Sequence, residues 1–419
     1  MMTQAFYTGL SGLKSTQQAI DVITDNLANT STVGYRGYST EFSNIFETMI
    51  NSSSSSSSVN SSTGFGSKIN AIVMDESQGV LQLTDSSNDL AIFGDGWFGV
   101  QGENQTMYTR DGSFTFDANR DLVTQDGFFV LGTMGNNVAN GALSEQLFEI
   151  PLSDVEKQEK LSFPKELYFP PVATSQAAFS GNIPLSEEVV AVGASVFNSE
   201  GTRNNLRLEF TKVDPQVSPG VQWNVTATTQ SADGESVYAT ETGVVTFDDL
   251  GALTSNSLTS IDNQGTPIAI DLGIGYEGMI SIDAPSSLAS SADGFADGDL
   301  LGYDINKNGE VIATFTNGRQ SNMGTIAVFH FANDRGLERV SGARFTQSNN
   351  SGAPIFVQDA NGNNVIGTDL SNNKLEGSNV RMEVGLTDLI IMQRAFDSSS
   401  KLISTADEML QKALSMSAS

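Results

Sequence analysis

Asn26-Leu27-Ala28-Asn29-Thr30-Ser31-Thr32-Val33-Gly34-Tyr35-Arg36 is the stretch on which the fold turns. Ahead of it, Phe6, Leu10, Leu13, Ile20 and Leu27 fall on alternating spacings of three and four, with Gln17 and Thr24 at the remaining seam positions. That repeat belongs to a helix with one apolar stripe. Within the stretch the repeat stops, and Asn, Thr and Ser give way to a glycine suited to a C-cap. The helix is therefore expected to end between residues 29 and 34.

The opposite end of the chain resembles the first. Leu386, Leu389, Phe396, Ile403, Leu410 and Leu414 form one stripe, and Leu402, Ala406, Met409, Ala413 and Met416 form a second beside it. Asp397 with Lys401, and Glu408 with Lys412, stand at i,i+4 in the favourable order, each adding about 0.3 kcal/mol to the helix. The segment 380–417 exceeds a typical globular helix. Terminal helices often pack on their own domain. Here residues 51–62, nearly all Ser and Asn, and residues 361–373, rich in Gly and Asn, read as flexible linkers. Both ends are thus expected to be tethered rather than embedded, their apolar faces meeting each other or neighbouring copies. The candidate interface residues are Leu10, Leu13, Ile20, Leu27, Leu386, Leu389, Phe396, Leu402, Ile403, Met409 and Leu410.

Between the linkers the pattern changes to period two. Short strands are expected at 90–93, 98–100, 107–108, 114–116, 122–124 and 128–131, punctuated by Gly94-Asp95-Gly96, Asp111-Gly112, residues 117–120 and Asp126-Gly127. A comparable set falls at 310–316, 325–331 and 344–346. The stretch 151–299 carries its own strands at 190–197, 206–212, 222–228 and 244–247. The expected fold is mainly β with long helical termini that pair as a coiled coil, and nested, discontinuous β-domains between them. Residues 1–34 with 376–419 would form the helical domain, and 35–70 with 361–375 a joint of linkers. Residues 71–150 with 300–360 would form an inner β-domain, and 151–299 an inserted outer one.

Composition narrows the function. A net charge of -28, from 49 acids against 21 bases, is spread along the chain; between Glu166 and Asp299 the only bases are Arg203, Arg207 and Lys212. Such a surface repels phosphate backbones and anionic headgroups, which argues against nucleic-acid or membrane binding. With Cys 0, disulfides and thiolate metal sites are excluded. Neither a signal-peptide pattern nor an apolar run of membrane-spanning length is found, so no membrane insertion is expected, and export would proceed without a cleaved signal.

Catalytic chemistry finds no anchor. The lone His330 sits in an apolar strand, and neither a Gly-x-Ser-x-Gly elbow nor a Gly-Lys-Ser/Thr phosphate loop occurs. Asp304, Asn306, Asn308 and Gly309 imitate the start of a calcium loop, yet Phe315 stands where the bidentate Glu is required. That loop, and the one at Asp359, Asn361, Gly362 and Asn363, should be Asx turns. No catalytic residue, metal ligand or cofactor is expected.

The opening stretch resembles the Asn-[Leu/Ile]-Ala-Asn-x-x-Thr-x-Gly-[Tyr/Phe]-[Lys/Arg] signature of the axial rod and hook proteins of the bacterial flagellum, carried here by Asn26, Leu27, Ala28, Asn29, Thr32, Gly34 and Tyr35. Leu375-Glu376-Gly377-Ser378-Asn379-Val380, with Gln393-Arg394-Ala395-Phe396 and residues 403–410, is similar to that family's C-terminal signature. Arg381 stands where the family usually has an acid, Gly385 where it often has Glu, and Phe396 replaces the usual Tyr. Residues 196–202, 206–210 and Trp223 resemble the extra outer β-domain of hook members.

The resemblance implies a structural subunit polymerising into a flexible tubular joint that passes torque from rod to filament. Its terminal helices would line a central channel and stay largely disordered until assembly buries their stripes. It further implies type III export to the cell exterior, and contacts with rod, junction and cap proteins and with the export apparatus. A distal rod or hook-associated protein is the alternative within the family; a secreted adhesin or carbohydrate-binding β-domain is the alternative outside it.

Overall fold

A computed structural model describes residues 2–45, 47–49, 62–64, 66–102, 105–216 and 220–417. Most of the Ser-rich stretch, residues 51–61, lies outside the described residues. The fold is mainly β with one helix at each end, α1 (Met2–Ala28) and α2 (Met382–Ser417). α1 stops at Ala28, earlier than expected, in a turn where the Asn29 N–H donates to the Asp25 and Asn26 carbonyls at 3.2 and 3.1 Å. Gly34 is not the helix cap but a pivot further on.

Several of the described residues expected to lie in the linker joint form strands. Tyr38–Asn44 pairs antiparallel with Ser67–Met74, Lys374–Glu376 with Leu81–Leu83, and Asp369–Asn372 with Leu90–Phe93. In Asp369–Asn372 and Lys374–Glu376 the side chains are mostly polar and partly exposed, so no apolar alternation marked them; the ladders are made by backbone groups that any residue carries.

The first β-body is built around two aromatic clusters. Phe98, Phe114, Phe169 and Phe315 belong to one, and Trp97, Tyr108, Phe329 and Phe345 to the other. Trp97 meets Phe345 edge-to-face with centroids 4.9 Å apart. Strands Phe114–Phe116, Leu122–Thr124 and Arg344–Thr346 fall where expected. Two turns expected to close hairpins do not. Leu90–Phe93 pairs with residues near the far end of the chain, and Thr106–Thr109 pairs with Trp97–Gln101 and Arg344–Thr346 rather than with the strand after Asp111-Gly112. Local turn chemistry cannot anticipate a partner more than two hundred residues away. Both acidic loops are Asx turns. Asn306 Oδ1 accepts the N–H groups of Asn308 and Glu310 at 2.9 and 3.0 Å, and Asp359 Oδ1 those of Asn361 and Asn363 at 2.8 Å each. His330 donates from Nε2 to the Ile366 carbonyl at 2.8 Å, a structural pin.

A ten-stranded sheet running from Gln176–Asn182 to Ser287–Ala292 forms the second β-body. Three of its long strands alternate: Val190, Val192, Ala194 and Val196 point inward, as do Leu206, Leu208 and Phe210, and then Trp223, Val225 and Ala227. Trp223 donates its indole N–H to Ser281 Oγ at 3.2 Å, and Ser281 passes its own proton to the Ile183 carbonyl at 3.1 Å, so the one polar atom of the ring is satisfied. The chain enters and leaves through a two-strand neck, where Val172 and Phe295 exchange backbone hydrogen bonds of 3.1 and 3.0 Å. Glu159–Lys160, Tyr168–Phe169 and Gly298–Ile305, adjoining or inside the expected inserted span 151–299, pair into the first body instead. The second body occupies only the chain between the neck strands.

Candidate functional site

α1 and α2 run antiparallel in close contact. A Cβ built on Gly9 would stand 2.9 Å from Ile403 Cγ1, one on Gly12 3.1 Å from Ser399 Oγ, and one on Gly385 3.4 Å from Leu27 Cδ1. On α1 the buried positions are Gly9, Ser15, Thr16 and Ala19; Gly9, Thr16 and Ala19 lie one residue off the expected stripe, and Ser15 meets Ser67 Oγ of the neighbouring hairpin at 3.0 Å. Leu10, Leu13, Ile20 and Leu27 flank that small-residue seam, half-buried, and Phe6 is exposed. Gly9 and Gly12 let the two backbones approach, and Leu27 packs at Gly385 near the other end of the pair.

On α2 the expected face divides. Leu389, Phe396, Ile403 and Leu410 are half-buried and alternate with Met392, Ser399 and the buried Ala406, forming the seam toward α1. Ala406 thus leaves the second stripe for the first. Leu386 (44% exposed), Leu402 (52%) and Met409 (54%) face outward, with Ile390 and Ile391. The apolar surface of α2 exceeds what α1 covers.

The signature residues build the joint at the root of both helices. Asn26 works as a detached piece of strand: its Oδ1 accepts the Tyr38 N–H at 2.9 Å and its Nδ2 donates to the Tyr38 carbonyl at 2.7 Å. Asn379 does the same from the other end, accepting from the Gly37 N–H at 2.8 Å and donating to the carbonyls of Asp75 and Ser77 at 2.9 Å each. Thr32 and Asn29 close the turn after α1 through Thr32 Oγ1 to Asn29 Oδ1 at 3.1 Å. Ser378 Oγ accepts the Val380 N–H at 3.2 Å, and Val380 packs against Gly37. Gly34 has φ +67, and any side chain there would strike the Asp111 backbone, so only glycine serves. Its N–H donates to the Glu376 carbonyl at 2.7 Å, tying the two chain ends together. Ala28, Gln393 and Arg394 are exposed.

Five charged residues of the joint, Glu376, Arg36, Arg110, Arg339 and Asp25, were missing from the expected set. Glu376, 1% exposed, accepts from Arg36 Nη1 at 2.9 Å and Arg110 Nη1 at 3.3 Å, and also from the Gly79 N–H at 2.9 Å. Burial, with Arg36 beside it, pulls the Arg110 guanidinium down to about 10 against the counter-pull of Glu376. Arg339, on Glu338–Ser341, reaches Asp25 Oδ2 at 2.7 Å and lies over the rings of Tyr35 and Tyr38 at 5.1 and 5.7 Å. Burial raises the Asp25 carboxyl, but the hydrogen bonds and charge from Arg339, with the Tyr35 hydroxyl, outweigh it and hold it below the ordinary value. Arg36 and Glu376 stood inside quoted motifs, yet only the fold brings them to Arg110; nothing in the sequence marked Arg339. Among the described residues no group of three or more His, Asp or Glu is placed to hold a metal. No helix is long and apolar enough to cross a membrane.

β-bodies carried between two helices rooted in one clasp, with apolar helix faces left exposed, have the form of a structural subunit. Three family descriptions match: "Flagella basal body rod protein" over residues 6–36, "Flagellar hook protein FlgE/F/G D1 domain" over 91–163, and "Flagellar basal body rod FlgEFG protein C-terminal" over 371–416. The flagellar hook protein FlgE of Brucella suis is 29% identical over 96% of this chain and 96% of its own. Those of Borreliella burgdorferi, at 27%, and Escherichia coli, at 26%, cover 98% and 97% of this chain and 99% and 98% of theirs. The fold matches the crystal structure of Helicobacter pylori flagellar hook protein FlgE2 with a TM-score of 0.54 at 15% identity, over 70% of this chain and 100% of that one. The chain belongs to the flagellar hook protein family.

Proposed function

We propose that the chain is the structural subunit of a bacterial flagellar hook, polymerising into a bendable tube that carries torque from rod to filament. The carrying observation is the exposed apolar face of α2, Leu386, Leu402 and Met409, left over after α1 has covered the other seam. Burying that face between copies, at about 25 cal/mol per Å², is the driving force for assembly. The helices then form the coiled-coil inner layer, and the polar β-bodies make the wetter outer contacts that slide as the tube bends. Copies meet each other first; rod, junction and cap proteins meet the ends of the polymer. No catalytic step is assigned.

Export without a cleaved signal through the flagellar type III apparatus fits a cysteine-free chain whose helical ends draw part of their stability from neighbours. Electron microscopy of concentrated protein with and without residues 1–34 and 376–419 tests the reading. Tubes from the whole chain and none from the trimmed one are expected; tubes from the trimmed chain would refute it.

A further inference from the structure

The buried charges of the joint are poorly explained as stabilisers. Two guanidiniums, Arg36 and Arg110, share one carboxylate, all at 1–3% exposure, and Arg110 Nε has no hydrogen-bond partner among the described residues. Burying such a set is costly in desolvation, with Asp334 adding the only further charge that acts on Arg110, and apolar residues of equal volume often serve stability as well. What the set does supply is direction. Glu376 Oε1 meets Arg36 and the Gly79 N–H, while Oε2 meets Arg110. The four groups come from the exit of α1, the approach to α2, the stretch after the Tyr38–Asn44/Ser67–Met74 hairpin, and the end of a first-body strand. One carboxylate with two aimed oxygens therefore references both helix roots to the same point of the β-body. Arg110 is itself held over the Trp97 ring at 5.3 Å, which fixes that point to the aromatic core.

We propose that the Arg36–Glu376–Arg110 triad is a positioning device: it sets the angle at which both terminal helices leave the first β-body, and through it the shape of the polymer. The second half rests on the hook reading; the first does not.

The experiment uses the full chain. In Arg36→Met/Arg110→Met/Glu376→Leu the melting temperature should stay level or rise. Hydrogen exchange at the Gly34, Gly37 and Gly377 amides, which bond across the clasp to other backbone or side-chain oxygens, should quicken by roughly tenfold or more while first-body core amides hold. Glu376→Gln alone removes the carboxylate both guanidiniums bond and leaves only the Asp334 charge acting on Arg110, and should quicken the same amides more than the triple variant does. Unchanged exchange in the triple variant overturns the proposal. So does loss of its fold, which would make the triad a stability element. Tubes of mixed curvature from the triple variant extend the device to the polymer, and tubes identical to the parent's refute that extension. Failure of the parent chain to form tubes would count against the hook reading and leave the exchange result intact.

Discussion

The second β-body and the helical pair bury apolar residues by opposite rules. In the β-body the alternation closes on itself: Phe210, Trp223, Val225 and Val245 are wholly buried and the ring nitrogen of Trp223 is satisfied inside the same body. In the helices Gly9 and Gly12 close on Ile403 and Ser399 and Ala406 is buried, while Leu402 and Met409 remain about half exposed. A sheet that fills its own core needs no partner. A pair of helices with more apolar face than the pair can cover has its remaining stability in an assembly.

Breaking the self-sufficient side should have the largest effect. Trp223→Ala removes a fully buried indole and its hydrogen bond to Ser281, and should cost the second body about 3–5 kcal/mol. Denaturant unfolding followed by proteolysis within residues 174–295 checks this; a midpoint equal to the parent's would contradict the core assignment. On the helical side, Gly9→Leu places side-chain atoms where even a Cβ lies 2.9 Å from Ile403 Cγ1. The helices must separate, at about 1–3 kcal/mol, read as lower helical melting by circular dichroism with the sheet signal unmoved.

Leu402→Asp with Met409→Asp sharpens the contrast, because both side chains point away from α1. Monomer stability should shift by no more than about 0.5 kcal/mol, while tube formation by electron microscopy is lost. Tubes persisting in that double variant would show that the outward face is not what copies share.

The smallest effect is the pH response of the joint. Asp25 has its carboxyl held below the ordinary value of about 3.9, so its contribution is present in full above that value and disappears as pH falls through the folded one. With both partners partly exposed the pair contributes only about 0.5 kcal/mol. Exchange of the Tyr38 amide, bonded to Asn26 at the foot of α1, should therefore quicken modestly below pH 4 in the parent and lose that pH dependence in Arg339→Ala.

How much was legible followed the length scale of each interaction. The helices, the strands at 114–116, 122–124 and 344–346, and the Asx turns at Asn306 and Asp359 depend on neighbours within a few residues, and the sequence carried them. The joint did not read as structure at all. Residues 369–376 are polar and loop-like, yet they are strands, because their partners at 81–83 and 90–93 supply backbone bonds that leave no mark on composition. The motif residues Asn26 and Asn379 could be singled out; that each is a side-chain amide imitating a strand could not.

The amino-acid sequence by itself determined that both ends are amphipathic helices, that the middle is β, and that the surface is acidic, since periodicity and charge are properties of the chain alone. The tertiary structure alone decided which stripe faces inward. Periodicity alone could not say that Gly9 and Gly12 are where α1 approaches α2, because the chain ends are brought together by Gly34, Gly37 and Arg36 meeting Glu376 and Asn379 more than three hundred residues away.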